Sequence, residues 1–123
     1  MDKAQAIHQF WSGFGLTAYD ENSVPDGAEM PYITYAVSTG ALDDILALTG
    51  SIWYRSPSWK EISLKADEIA RAVGAGGYRI SKVDNGYLWI NMGSPFSQRM
   101  ADPSDEMVRR IYIVLSAEFL TPY

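Results

Sequence analysis

Leu46-Ala47-Leu48-Thr49-Gly50-Ser51-Ile52-Trp53-Tyr54-Arg55 runs directly into Ser56-Pro57-Ser58-Trp59-Lys60-Glu61, and the change of period between the two decides the fold. The first segment alternates. Leu46, Leu48, Ile52 and Tyr54 fall on one face of a strand, with Ala47, Thr49, Ser51 and Trp53 on the other. From Trp59 the apolar residues return at three- and four-residue steps, through Ile62, Ala66, Ile69, Ala70 and Val73. That is the stripe of an amphipathic helix, with Lys60, Glu61, Lys65, Asp67, Glu68 and Arg71 on its wet faces. Pro57 suits the first turn, and Ser58 with Glu61 has the spacing of a capping box. Gly74, Gly76 and Gly77 end the helix. A sheet therefore exists, and one helix lies across it.

Working outward, 123 residues make one domain, 1–123, with 47% apolar residues to build its core. No run approaches the length of a membrane span. Met1-Asp2-Lys3 leads into an amphipathic helix and not a secretory signal. The absence of cysteine excludes disulfides, thiolate metal sites and cysteine nucleophiles, and suits an intracellular product. A net charge of −5 argues against a sequence-specific nucleic-acid reader, whose affinity rests on neutralising phosphates. Protein partners fit an acidic surface better.

Upstream of the central pair, Ala4, Ile7, Trp11 and Phe14, widened by Phe10, predict a first helix over 3–14, stopped by Gly13 and Gly15. Residues 16–31 read as a long turn-rich loop, and residues 32–38 alternate as a strand. Downstream, residues 78–83 and 87–92 form a hairpin around Asp84-Asn85-Gly86, because Asn-Gly accepts the positive φ of a tight turn. Residues 93–104 read as irregular. Residues 108–120 alternate, with Ile111, Ile113, Leu115, Ala117 and Phe119 against Arg110, Tyr112, Val114, Ser116 and Glu118, and are largely non-polar on both faces in the middle, as a central strand is. The expected architecture is α+β: a mostly antiparallel sheet of about 4–5 strands with two helices packed on one face.

Chemistry is sparse. His8 is the sole histidine and has no serine or acid at a recognised motif spacing. Asp20, Glu21, Asp26 and Glu29 crowd one loop but lack the ordered spacing of a calcium loop. Asp43-Asp44 reads as a solvated loop tip, and Gly74-Ala75-Gly76-Gly77 follows a helix where a phosphate loop would precede one. Arg109-Arg110 opens the last strand, with an ion pair to a neighbouring acid expected. Four tryptophans, Trp11, Trp53, Trp59 and Trp89, exceed what such a core needs, so one or two are candidate contact anchors. No catalytic residue, cofactor site or metal site is assigned.

Taken together, the order and spacing of several segments resemble the tail terminator family of long-tailed phages and prophages, also called tail-completion or minor capsid proteins. They begin with Phe10-Trp11-Ser12-Gly13-Phe14-Gly15, Ala18-Tyr19-Asp20-Glu21-Asn22 and Pro31-Tyr32-Ile33-Thr34-Tyr35. They continue through Trp53-Tyr54-Arg55-Ser56, Ser58-Trp59-Lys60-Glu61 and Lys65-Ala66-Asp67-Glu68-Ile69. Asp84-Asn85-Gly86-Tyr87-Leu88-Trp89-Ile90, Phe96-Ser97-Gln98-Arg99-Met100 and Arg109-Arg110-Ile111-Tyr112 complete the pattern. None carries a chemical mechanism by itself.

The resemblance implies a non-enzymatic assembly role at the head-proximal end of a virion tail, in a protein made in the bacterial host cytoplasm. Such proteins form a ring, commonly a hexamer, that caps the tail tube and offers a surface for head joining. The implied partners are copies of itself, the major tail tube protein and a head–tail connector protein, with no membrane. A closed ring needs two different patches on each subunit. The candidates are Tyr19, Asp20 and Glu21 in the long loop, the Asp43-Asp44 tip, and Phe96, Gln98, Arg99 and Met100. Two other readings stay open: a head–tail connector or adaptor, and a small-molecule-binding or hydrolytic α+β domain using the loop carboxylates.

Overall fold

The computed structural model describes all residues, Met1–Tyr123. Two long strands form the middle of the sheet, β3 (Ile45–Arg55) and β6 (Val108–Leu120), paired antiparallel along their length from Ile45↔Glu118 to Arg55↔Val108. Around them lie β1 (Thr17–Asp20), β2 (Tyr32–Tyr35), β4 (Tyr78–Val83) and β5 (Gly86–Ala101). The order is β1-β2-β3-β6-β5-β4. The final strand thus inserts between the two halves that the earlier chain builds.

Six strands are present, more than expected, and the sheet is mixed. The additional strand is β1, inside the stretch read as loop, and it pairs parallel to β2. A four-residue edge strand leaves too short a pattern for alternation to register. The segment read as irregular also belongs to the sheet. β5 continues to Ala101 and pairs with β6 on both sides of an interruption between Met92 and Ser97. Gly93 and Pro95 mark that interruption, and at Gly93 a β-carbon would meet the Val114 carbonyl oxygen at 2.3 Å. The 84–86 hairpin forms as expected, with positive φ at Asp84 and Asn85.

Both helices, α1 (Lys3–Trp11) and α2 (Lys60–Val73), pack on the same face of the sheet. α1 touches β1 and β4, the two edge strands, so the sheet curls around it. Ala6, Ile7, Phe10 and Trp11 are its buried residues; Ala4, expected in the stripe, is exposed. The helix starts on a capping box between Asp2 and Gln5 and ends in a 3-10 turn, Ser12–Phe14. Trp11 is fully buried with the six-membered ring of its indole against Gly50, where a β-carbon would sit 2.8 Å from it. Glycine at that point of β3 makes room for the largest core side chain.

Ile62, Ala66, Ile69 and Val73 bury the stripe of α2. The expected capping box is absent. Ser56 Oγ accepts from Ser58 N at 3.1 Å and Ser58 Oγ from Lys60 N at 3.0 Å, so two successive serine turns lead into the helix and leave Trp59 as its N-cap.

Candidate functional site: the uncovered face of the sheet

Because directly paired residues of antiparallel strands share a face, the register sorts the sheet into two sides. Ile33, Leu48, Ile52, Ile111, Ile113 and Leu115 are buried under the helices. The opposite side has no helix on it. Across its centre lie Tyr32, Trp53 and Arg110 in one paired row, with Thr34, Ser51 and Tyr112 in the next. Tyr19 stands beside Thr34 on β1.

These side chains are held to one another. The Tyr19 and Tyr32 rings meet edge to face at 5.7 Å, and the Tyr32 and Trp53 rings are tilted 39° to each other at 6.3 Å. Trp53 Nε1 donates to Thr34 Oγ1 at 2.9 Å. Arg110 Nε donates to Ser51 Oγ at 3.0 Å, with its guanidinium 4.8 Å from the Trp53 centroid and 5.9 Å from that of Tyr112. Aromatic contacts of this kind add about 0.5–1.5 kcal/mol each, and cation–π contacts about 0.5–1 kcal/mol when exposed. The row is therefore rigid before any partner arrives. Arg110 spends only Nε within the chain; its two terminal nitrogens make no hydrogen bond or ion pair. The ion pair expected for Arg109-Arg110 is not formed by either residue; in this part of the molecule the ion pair joins Arg55 to Asp105 at 2.8 Å. Arg110 instead forms one wall of a pocket of about 170 Å³, whose other walls are Trp53, Met100, Ala101, Asp102 and Pro103.

A second group lies farther along the same face. Tyr87 and Trp89 on β5 pair with Leu120 and Glu118, and Arg79 lies over the Tyr87 ring at 5.5 Å. Trp89 keeps 38% of its surface exposed. Of the four tryptophans, Trp11 belongs to the core, Trp59 is half-buried beside it, and Trp53 and Trp89 are on the uncovered face.

The residues singled out from the sequence scatter over this frame. Tyr19 and Asp20 sit on β1; Asp20 Oδ1 accepts from Asn22 N at 2.9 Å and shapes the turn that carries exposed Glu21. Gln98 and Met100 pair with Tyr112 and Arg110, which puts them on the uncovered face. Phe96 packs against the core, and Arg99, itself exposed, lies 5.0 Å over Trp59 on the helix-bearing side of the sheet. Asp43 and Asp44 are exposed at the tip of the β2–β3 connection. There Asp44 Oδ2 accepts from Ala41 N at 3.1 Å, and Asp43 adopts φ 77°. The tip is anchored by Leu42 N donating to the Thr121 carbonyl at 3.1 Å, at the end of β3 opposite Trp53. It also presents Leu42, 57% exposed, and Ile45, 67% exposed.

The most chemically suggestive cluster lies elsewhere. His8 Nδ1 is 2.8 Å from Tyr35 Oη and its Nε2 is 3.2 Å from Ser12 Oγ. A hydroxyl on each nitrogen gives the outline of a nucleophile–base pair, with a tyrosine where a carboxylate would orient the imidazole. Burial and, second, Asp20 raise the Tyr35 phenol above its usual pKa, so it stays a neutral hydroxyl. His8 and Ser12 sit on the exposed side of α1, outside every cavity of the molecule. The loop carboxylates do not converge: no group of three acids or histidines could hold a metal ion. Asp102 and Asp105 have carboxyls held below the usual range, Asp102 by Ser104 and Asp105 first by the Met107 N–H and then by Arg55.

Arg110, Trp53 and Tyr112 are not among the ring-contact candidates drawn from the resemblance, although Trp53 is one of the four tryptophans from which contact anchors are expected. The signal was present in the alternation, which places Trp53 off the core face of its strand and Arg110 and Tyr112 off the core face of theirs. Only the register shows that the two strands lie side by side.

No family model matches the sequence, and no curated protein does. Among solved structures, the chain is similar to one from the virion of a native gene transfer agent (GTA) particle, with a TM-score of 0.59 and 16% sequence identity. The match covers 91% of this chain and 90% of that one. At that identity the likeness is one of fold.

Proposed function

We propose that this chain is a non-catalytic virion structural protein, and more narrowly a tail terminator: a ring on the last layer of a phage tail tube that stops its growth and offers a surface to the head. The uncovered sheet face carries the proposal. A preformed row of aromatic side chains and an arginine with unused donors is what a docking surface needs, since ordered Trp, Tyr and Arg dominate contact energetics. The near full-length fold likeness to a gene transfer agent virion chain supports the same reading. So do the residues that resemble the tail terminator family.

A head–tail connector draws equal support from that likeness, because both are ring-forming pieces of the same joint. Co-sedimentation separates them. A terminator pellets with purified tail tubes lacking heads; a connector pellets with portal-bearing heads and not with tubes. Binding to neither contradicts both. The acidic net charge suits a ring through which DNA slides, because no phosphate is neutralised. The His8, Ser12 and Tyr35 cluster has its own check: hydrolysis of activated esters that disappears with His8→Ala would make the chain an enzyme.

A further inference from the structure

We infer that the pocket at Arg110 receives the Asp43-Asp44 tip of a second copy of this chain, joining copies head to tail. This rests on the proposed reading that copies assemble, and adds which two patches meet.

Complementarity carries the argument. The pocket offers a guanidinium whose two terminal nitrogens are unused, fixed from behind by Ser51 and stacked on Trp53. Its remaining walls include apolar Met100, Ala101 and Pro103. The matching occupant is a carboxylate carried beside exposed aliphatic side chains. The tip supplies that pair: Asp43 and Asp44 stand between Leu42 and Ile45, and no Lys or Arg occurs in residues 36–45. A bidentate carboxylate–arginine contact fits both the charge and the planar fork. Asp102 also lines the pocket; its Oδ1 accepts from Ser104 N at 2.9 Å and Ser104 Oγ at 2.7 Å, and it makes no ion pair with Arg110, whose terminal nitrogens stay available.

Geometry makes the contact intermolecular. Tip and pocket lie at opposite ends of β3, separated by eight residues of strand from Ile45 to Trp53, or about 26 Å at 3.3 Å per residue. A tip cannot reach its own pocket. Two different patches on one subunit make a heterologous contact, which closes into a ring when its rotation permits.

The chain has no cysteine, so engineered thiols are its only thiols. Asp43→Cys and Met100→Cys in one chain, oxidised alone and on tail tubes, are expected to give a ladder of disulfide-linked oligomers on a non-reducing gel. Either substitution alone gives dimers at most. Adding Arg110→Glu should abolish the ladder while circular dichroism stays that of the folded parent and the melting temperature falls only by the few degrees that its lost Ser51 and Trp53 contacts explain. In the cysteine-free chain, Arg110→Glu is expected to weaken self-association at least about 30-fold. Asp43→Arg with Asp44→Arg should do the same, and mixing the two charge-reversed proteins should restore it. A ladder that never exceeds dimer, or that survives Arg110→Glu, overturns the inference. Tube binding without a ladder overturns this contact and leaves the proposed function standing; a ladder without tube or head binding does the reverse.

Discussion

Each face of the sheet carries an arginine laid on a tryptophan, and the two pairs end differently. Under the helices Arg109 lies 5.3 Å over Trp59, donating Nη1 to the Glu106 carbonyl at 2.7 Å and Nη2 to the Pro57 carbonyl at 3.1 Å. Arg99 covers the same indole. The two terminal nitrogens of Arg109 are thus used inside the chain, one in the turn before β6 and one on the segment leading into α2, while its Nε is buried without a partner. On the other side Arg110, the next residue, lies over Trp53 with its terminal donors unused. Alternation along one strand thus puts neighbouring arginines on opposite faces: one has its terminal donors bonded within the chain and the other has them unbonded. Terminal donors bonded within the chain stabilise the fold, whereas ordered terminal donors left unbonded keep their interaction free energy for association.

That contrast breaks first if stability does not follow it. Phe119→Ala, in the covered layer, should cost about 3–5 kcal/mol in denaturant unfolding, and Leu120→Ala, one residue on, under about 1.5 kcal/mol. Equal losses would mean that the two sides are not inside and outside. Next comes the tryptophan pair. Trp59→Ala should cost about 3 kcal/mol, the low end for a large aromatic, because Trp59 is only half-buried. Trp53→Ala removes a hydrogen bond and stacking contacts, about 1–2 kcal/mol, yet should abolish binding to tails. A Trp53→Ala protein that melts nearly as the parent and still co-sediments would remove the uncovered face from the account.

The smallest effect sharpens the arginine comparison at Asp105, the acid taken by Arg55. Its carboxyl is held below the ordinary range, so its contribution is present above the usual carboxylate pKa and lost as pH falls through the lowered value. Asp105→Asn should therefore melt slightly below the parent at neutral pH, and the gap should close in acid. A gap that widens in acid would contradict that sign.

Much of the architecture was legible from the chain. The central strand, the stripe of the second helix, the Asp84-Asn85-Gly86 hairpin and the last strand as a central one follow from periods that local sequence dictates. What was not legible depended on partners distant in sequence. β1 exists because Thr17–Asp20 meets Tyr32–Tyr35, and nothing in four residues announces that pairing. β5 passes Gly93 and Pro95, ordinary breakers, because β6 holds it on both sides. Ser58 has the spacing of a capping box with Glu61, yet its hydroxyl bonds Lys60 N, two residues on, in place of the third residue beyond it. The interaction candidates divide in the same way. Gln98 and Met100 share the face of Tyr112 and Arg110, whereas neighbouring Phe96 and Arg99 turn toward the core and Trp59.

Whether the protein works through its bare sheet face is tested most directly by hydroxyl-radical labelling of the free chain and the chain on tail tubes, read residue by residue. The account predicts that labelling of Trp53 and Tyr112 falls several-fold on assembly while that of Trp59, already shielded by Arg99 and Arg109, barely moves. Unchanged labelling of Trp53 and Tyr112 in tube-bound protein would contradict it.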